Sequence, residues 1–182
     1  MVGKIFKIKW LAICMFVGIV FSALIIFPMT TNAASQKSYK LKIPLGLDEE
    51  AFKVPQNNPM TREKIELGRL LFFDKRLSAN NTIACASCHI PELAFTDGQS
   101  VSSGIHHLQG GRSAPTAINR GFSEAQFWDG RAPMLEDQSI GPFANPIEHG
   151  FSNHDELVSK ISMFDGYKKM FKNVFGTDNI KK

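Results

Sequence analysis

Three stretches of the chain repeat apolar residues at helical spacing, and the ground between them is irregular. Ile65, Leu67, Leu70 and Leu71 follow a Thr at position 61 that suits an N-cap, so the spacing predicts a helix over 62–72, ended by Phe72-Phe73-Asp74. Asn153 with Glu156 three residues on forms an Asn version of the capping box, and Leu157, Val158, Ile161 and Phe164 share the face that follows. A second helix of that pair is predicted from about Tyr167, carries Met170, Phe171 and Phe175, and stops at Gly176. A short helix is expected over Met134 to Ser139, with Pro133 near its first turn and Gly141-Pro142 as its stop. The fold class read from this pattern is mainly α with long loops. Asp178 to Lys182 reads as a frayed tail.

Residues 34–60 contain Pro44, Pro55, Asn57-Asn58 and Pro59 and read as an extended arm, which leaves 61–182 as one domain of ordinary size. Residues 1–33 read as a signal peptide: Lys4, Lys7 and Lys9 precede an apolar run from Trp10 to Phe27, and cleavage is expected after Ala33. The run is long, so an uncleaved membrane anchor is the alternative, and it is the only membrane contact expected. Export to the periplasm or beyond follows. It also changes the charge: of 21 basic residues the leader takes three, leaving 18 against 17 acids, so a chain listing +4 becomes nearly neutral. A neutral domain argues against nucleic acid as a partner. Cys14 leaves with the leader, and the two remaining cysteines belong to one motif.

That motif is Cys85-Ala86-Ser87-Cys88-His89, which has the form of a c-type haem attachment site. Two thiols three residues apart can bond the two vinyl groups on one porphyrin edge, while the next imidazole reaches the iron. One covalent haem c is expected, held by Cys85 and Cys88, with His89 on the iron. Two other readings fit Cys-x-x-Cys less well. Zinc needs two more ligands, and the adjacent His106 and His107 lack the usual spacing. A thioredoxin-like redox pair wants a βαβ setting, whereas Pro91 and loop-like flanks surround this one. His106 and His107 lie in a Ser- and Gly-rich loop, either as a sixth ligand to the iron or as solvent-exposed residues. Trp128 beside Asp129-Gly130 reads as a packed indole, with an electron route as the functional alternative. Glu148 is the one carboxylate in Asn145-Pro146-Ile147-Glu148-His149-Gly150, and an acid–base candidate if it stands beside an open iron. His154 is expected at the surface.

Six blocks together resemble the bacterial di-haem cytochrome c peroxidases and their MauG-like relatives. They are Leu67 to Ser78, Cys85 to His89, Phe95-Thr96-Asp97-Gly98, Arg112-Ser113-Ala114-Pro115-Thr116, Gln126 to Arg131, and Gly141-Pro142 with Asn145-Pro146-Ile147-Glu148. The resemblance implies a cytochrome-c-like helical fold and assigns the chain to the family's N-terminal, peroxide-reacting haem domain. It makes His89 the proximal ligand, Glu148 the acid/base on the open face, and Trp128 the residue between two haems. It also implies hydrogen peroxide as substrate. The electrons would come from a small donor protein, a cytochrome c or cupredoxin, or from a separate second-haem subunit.

Four departures from the family pattern shape these expectations. These residues hold a single Cys-x-x-Cys-His, so electron delivery is expected from another polypeptide. Ile105 stands directly after Gly104 where many members have a displaceable His ligand, a pattern closer to the MauG-like branch with its open iron. Ser113 replaces the Asn that helps bind calcium, so no calcium is expected. His149 stands where Met is common and is a further candidate to approach the iron. An electron-transfer cytochrome with a closed sixth position, or the remnant of a truncated di-haem enzyme, are the competing readings.

Overall fold

The structure is a computed structural model that describes residues 37–182. The signal-peptide expectation, with its cleavage after Ala33 and with Cys14, lies outside the described residues. Among the described residues no helix is long and apolar enough to cross a membrane.

Five α-helices order the described residues: α1 (Arg62–Phe73), α2 (Cys85–Cys88), α3 (Leu135–Ile140), α4 (His154–Ile161) and α5 (Asp165–Phe175), linked by short 3-10 turns and loops. Extended pairing is limited to isolated bridges, such as Ser38 with Thr61 and Ile90 with Thr96. The mainly α expectation therefore holds, and the helix ends follow local chemistry. Thr61 Oγ1 accepts the Lys64 N–H at 3.2 Å, and Asn153 Oδ1 accepts the Glu156 N–H at 3.0 Å. Gly176 closes α5 at φ +75°, a left-handed turn that suits glycine.

The apolar faces of α1, α4 and α5 meet in one core. Leu67, Leu77, Phe151, Leu157, Ile161, Tyr167 and Ile180 are buried, ringed by Leu70, Leu71, Phe143, Val158, Phe171 and others. Each such aliphatic side chain contributes about 1.5–3 kcal/mol by leaving water. A polar joint ties α5 to the end of α1. Tyr167 Oη donates to Asp74 Oδ2 at 2.7 Å, and Arg76 binds the same carboxylate through Nη2 at 2.6 Å and Nε at 3.0 Å. The Arg76 guanidinium lies 4.2 Å above the Phe164 ring.

Several details differ from the sequence reading. Ile65 is exposed, because the core-facing stripe of α1 runs through Leu67, Leu70 and Leu71 instead. Phe164 is not on α4 but is the N-cap of α5, which begins two residues earlier than expected. Gly141 caps α3 after Ile140 as expected, but the chain continues into a 3-10 turn, Gly141–Ala144, since proline is tolerated in a first turn. The tail is not wholly frayed, for Ile180 is buried in the core. The described part of the arm, 37–60, docks on the body through Phe52 against Phe122 at 5.1 Å and Asn58 Nδ2 to Glu136 Oε1 at 2.9 Å.

Candidate haem site

Cys85 and Cys88 are the ends of α2, a single helical turn, so their spacing of three places both thiols on one face. The turn is closed by the His89 N–H to the Cys85 carbonyl at 3.0 Å, and the Ala84 N–H finds Ser87 Oγ at 3.0 Å. His89 is aimed by its neighbour's backbone. Its Nδ1 lies 3.0 Å from the Phe95 carbonyl, which can only accept, so Nδ1 carries the proton and Nε2 is left to bind a metal. To present that carbonyl, Ala94 and Phe95 both adopt positive φ, 55° and 57°, at a cost of order 1–3 kcal/mol each. Phe72 of α1 backs the imidazole, its ring centroid 6.2 Å away.

Cys85, Cys88 and His89 form one wall of a cavity of about 670 Å³, which also takes in Trp128, Pro142 and Glu148. Cofactor pockets span roughly 300–1,000 Å³. Burial pushes both thiols up to about 11, so they are protonated at neutral pH. The two cysteines are unbonded to each other, and no three His, Cys, Asp or Glu side chains among the described residues converge as a metal site. One orphan supports an occupant: Ser102, in the cavity wall, has a buried Oγ with no protein partner. Size, paired thiols, a free imidazole nitrogen and an unmatched hydroxyl together fit a covalently held haem.

Glu148 faces the same cavity and is half-buried. Burial raises its pKa above the ordinary carboxylate value, while the Asn145 amide, Arg131 and His89 pull the other way. Asn145 Nδ2 donates to Glu148 Oε1 at 2.7 Å, which leaves Oε2 unclaimed, and Asn145 Oδ1 accepts the Ile147 N–H at 2.9 Å. The turn is held from the far side as well, for the Ile105 N–H donates to the carbonyls of Ile147 at 2.9 Å and Glu148 at 3.0 Å. Only a glycine fits at 104: a Cβ there would stand 1.9 Å from the Ile147 carbonyl oxygen.

The remaining candidates fall in different places. Trp128 lines the cavity but is 62% exposed, so it is a rim residue rather than a buried one. Its Nε1 donates to the Ser113 carbonyl at 2.9 Å. Beside it Asp129 bridges Arg112 at 2.8 Å and Arg131 at 2.9 Å, and these two guanidinium groups hold its carboxyl well below the usual range. His106 and His107 are exposed, at φ 54° and 59°, and neither lines the cavity, because the tight seat of Gly104 and Ile105 turns the following residues outward. His149 is buried in the wall, with Nδ1 bonded to the Leu77 carbonyl at 2.8 Å, and burial pushes its pKa down, which keeps the ring neutral. His154 is half-buried, not exposed, since its Nε2 donates to the Ile140 carbonyl at 2.9 Å.

Phe95, Asn145 and Ser102 escape a reading by residue type. Asn145 carried a signal, standing three residues before Glu148 in a turn where Asx side chains bond locally. Phe95 acts through its carbonyl and left none.

Comparisons with known proteins find relatives by sequence and by overall structure. The chain is 37% identical over 131 residues to the methylamine utilization protein MauG of Methylophilus methylotrophus, covering 72% of this chain and 39% of that one. It is 42% identical over 122 residues to the cytochrome c551 peroxidase of Nitrosomonas europaea, covering 67% and 36%. Against a solved structure, a MauG-like protein associated with microbial copper homeostasis, the TM-score is 0.68 at 37% identity, covering 76% of this chain and 41% of that one. The chain thus spans about a third to two fifths of the length of these relatives. The cytochrome-c-like helical fold class is shared with these neighbours. Residues 62–182 match the family model described as di-haem cytochrome c peroxidase, and the chain belongs to that family.

Proposed function

We propose that this chain is an exported haem c protein whose cavity reduces hydrogen peroxide, with Glu148 moving the protons and electrons arriving from a partner redox centre past Trp128. The family is one of haem c peroxidases, and relatives in Escherichia coli and Nitrosomonas europaea carry the name cytochrome c peroxidase. The observation that carries the reading is the shared cavity: the free nitrogen of His89 and the carboxyl of Glu148 address one space.

When bound, the haem supplies an iron that binds peroxide and passes it electrons. Cys85 and Cys88 would hold the haem covalently, and His89 Nε2, its direction set by the Phe95 carbonyl, would bind its iron. Glu148 Oε2 takes a proton from one peroxide oxygen and returns it to the other, so that the second leaves as water. Asn145 holds Oε1 meanwhile, which keeps the carboxyl from rotating away. The raised pKa suits the exchange, since the same group must accept and release a proton. Trp128 at the exposed rim gives the donor an aromatic surface beside the cavity. That donor is a small cytochrome or cupredoxin, or a second haem centre.

Glu148→Gln in the haem-loaded protein tests this. The Gln keeps size and hydrogen bonding but carries no exchangeable acid, so peroxide reduction is expected to fall by roughly 10²–10⁴-fold. An undiminished rate sinks the role of Glu148. A low-spin ferric spectrum indifferent to peroxide and cyanide would replace the enzyme with an electron-transfer cytochrome.

A further inference from the structure

The residue next to Glu148 has no part in that chemistry, yet it is the more firmly held of the two. His149 is 3% exposed. Its Nδ1–H reaches across 72 residues of sequence to the Leu77 carbonyl at 2.8 Å, and its own carbonyl accepts the Ala79 N–H at 2.9 Å. Its ring packs on Phe143, the centroids 4.6 Å apart.

The receiving segment is deeply buried. Leu77 and Ser78 are 1% and 0% exposed, the largest fully buried side chains among the described residues. From there the chain runs to the haem wall with little slack, because Ser78 Oγ accepts the N–H groups of both Thr82 and Ile83 at 3.0 Å, two residues short of Cys85. The wall that carries the carboxyl and the wall that carries the thiols and His89 are therefore joined at His149, through its imidazole and its own carbonyl. Without the imidazole bond the turn around Glu148 keeps only backbone ties, from the Ala79 N–H to the His149 carbonyl on this side and from the Ile105 N–H on the other. A proton-transfer group tolerates about an ångström of misplacement poorly.

We infer that His149 is a positioning residue: its bond to the Leu77 carbonyl sets where the Glu148 carboxyl stands relative to His89. The inference rests on the acid–base reading of Glu148. A neutral imidazole offers one N–H, here at Nδ1, and a side chain of similar volume without a donor there cannot replace it.

The test uses haem-loaded protein and three variants. His149→Asn places an amide nitrogen close to where Nδ1 stands, His149→Gln places it near Nε2, and His149→Met keeps the bulk with no donor. Two readouts follow the carboxyl: the rate of cyanide binding to ferric protein, where the incoming HCN must lose its proton, and the pH profile of peroxide reduction. Met and Gln are expected to slow both reactions by roughly ten- to a hundredfold and to move the acid limb of the profile, while Asn keeps the parent behaviour. The inference is overturned if the Met variant keeps the parent rate and profile, or if all three slow alike. Failure of the Asn variant to take up haem would likewise reduce His149 to a packing residue. Glu148→Gln serves as reference: if it reacts like the parent, the reading of Glu148 falls and this role with it, whereas a slow Glu148→Gln beside a normal His149→Met removes only the role of His149.

Discussion

Where α1, α4 and α5 meet, the interior is Leu67, Leu77, Leu157, Ile161 and Tyr167, whereas between Ala79 and Gly150 the buried apolar residues are only Ala84, Ile105 and Ala132. The second region replaces bulk with strain and hydrogen bonds. All seven non-glycine residues with positive φ among the described residues, from Asn81 to Phe127, lie there. One region is held by area removed from water and the other by directed bonds around a space kept for a cofactor. Stability and chemistry therefore reside in different residues, and substitutions should separate them.

The largest expected effect tests the helical region. Leu67→Ala removes a buried side chain from the centre of the core, at a cost of about 2–5 kcal/mol. Thermal or denaturant unfolding of the haem-loaded protein reads this loss directly. Below the transition its ferric spectrum and cyanide-binding rate should match the parent, because Leu67 does not line the cavity. A changed spectrum in the folded variant would show that the two regions are not separable.

Gly104→Ala should do the reverse. Its Cβ cannot occupy a point 1.9 Å from the Ile147 carbonyl, so the loop or the Glu148 turn must shift. A shift of about an ångström at the carboxyl predicts a loss of roughly a hundredfold in peroxide turnover. The cost in unfolding should stay near the 1–3 kcal/mol of ordinary overpacking, smaller than that of Leu67→Ala. Parent-like turnover would mean that the turn is not fixed from the Gly104 side.

The same division governs how much could be read from the sequence. Helix periodicity exposes the faces of α1, α4 and α5 because burial by area has no requirement but spacing, and Thr61 and Asn153 mark their starts through side-chain caps. Cys85, Cys88, His89 and Glu148 were legible as residue types whose chemistry is distinctive. Their supports were not. Phe95 orients His89 through a carbonyl that any residue could supply, Ile105 holds the Glu148 turn through its N–H, and Trp128 turned out exposed because an indole donor can bond Ser113 from the rim as well as from a core. His106 and His107 show the limit from the other side: good ligand chemistry, placed outward by a backbone contact at Gly104 that spacing does not encode.

The smallest expected effect returns to the helical region, where Asp74 is its most strongly perturbed carboxylate. Hydrogen bonds from Arg76, then from Tyr167, hold its pKa down to about 2, against the opposing pull of burial. A carboxyl depressed in the folded state contributes stability that is present above its unfolded pKa, near 4, and is lost as pH falls toward 2. Arg76 is half exposed, so its pairing with Asp74 is screened and contributes little, while the hydroxyl of Tyr167 is shielded. Tyr167→Phe removes that one charged hydrogen bond and should cost about 1.5 kcal/mol at neutral pH, a gap that narrows as acid protonates Asp74 in both proteins. Glu148 has the opposite sign. Its pKa is raised by burial, so falling pH neutralises it and relieves its desolvation, and the cavity region gains where the helical region loses. Acid unfolding followed by tyrosine fluorescence or far-ultraviolet circular dichroism, in parent, Tyr167→Phe and Glu148→Gln, resolves the two. Tyr167→Phe should unfold at higher pH than the parent, and Glu148→Gln should not. If instead Glu148→Gln sensitised the protein to acid, the carboxyl would be ionised and bonded in the folded state, and the comparison between a held and a strained region would fail at its most reactive residue.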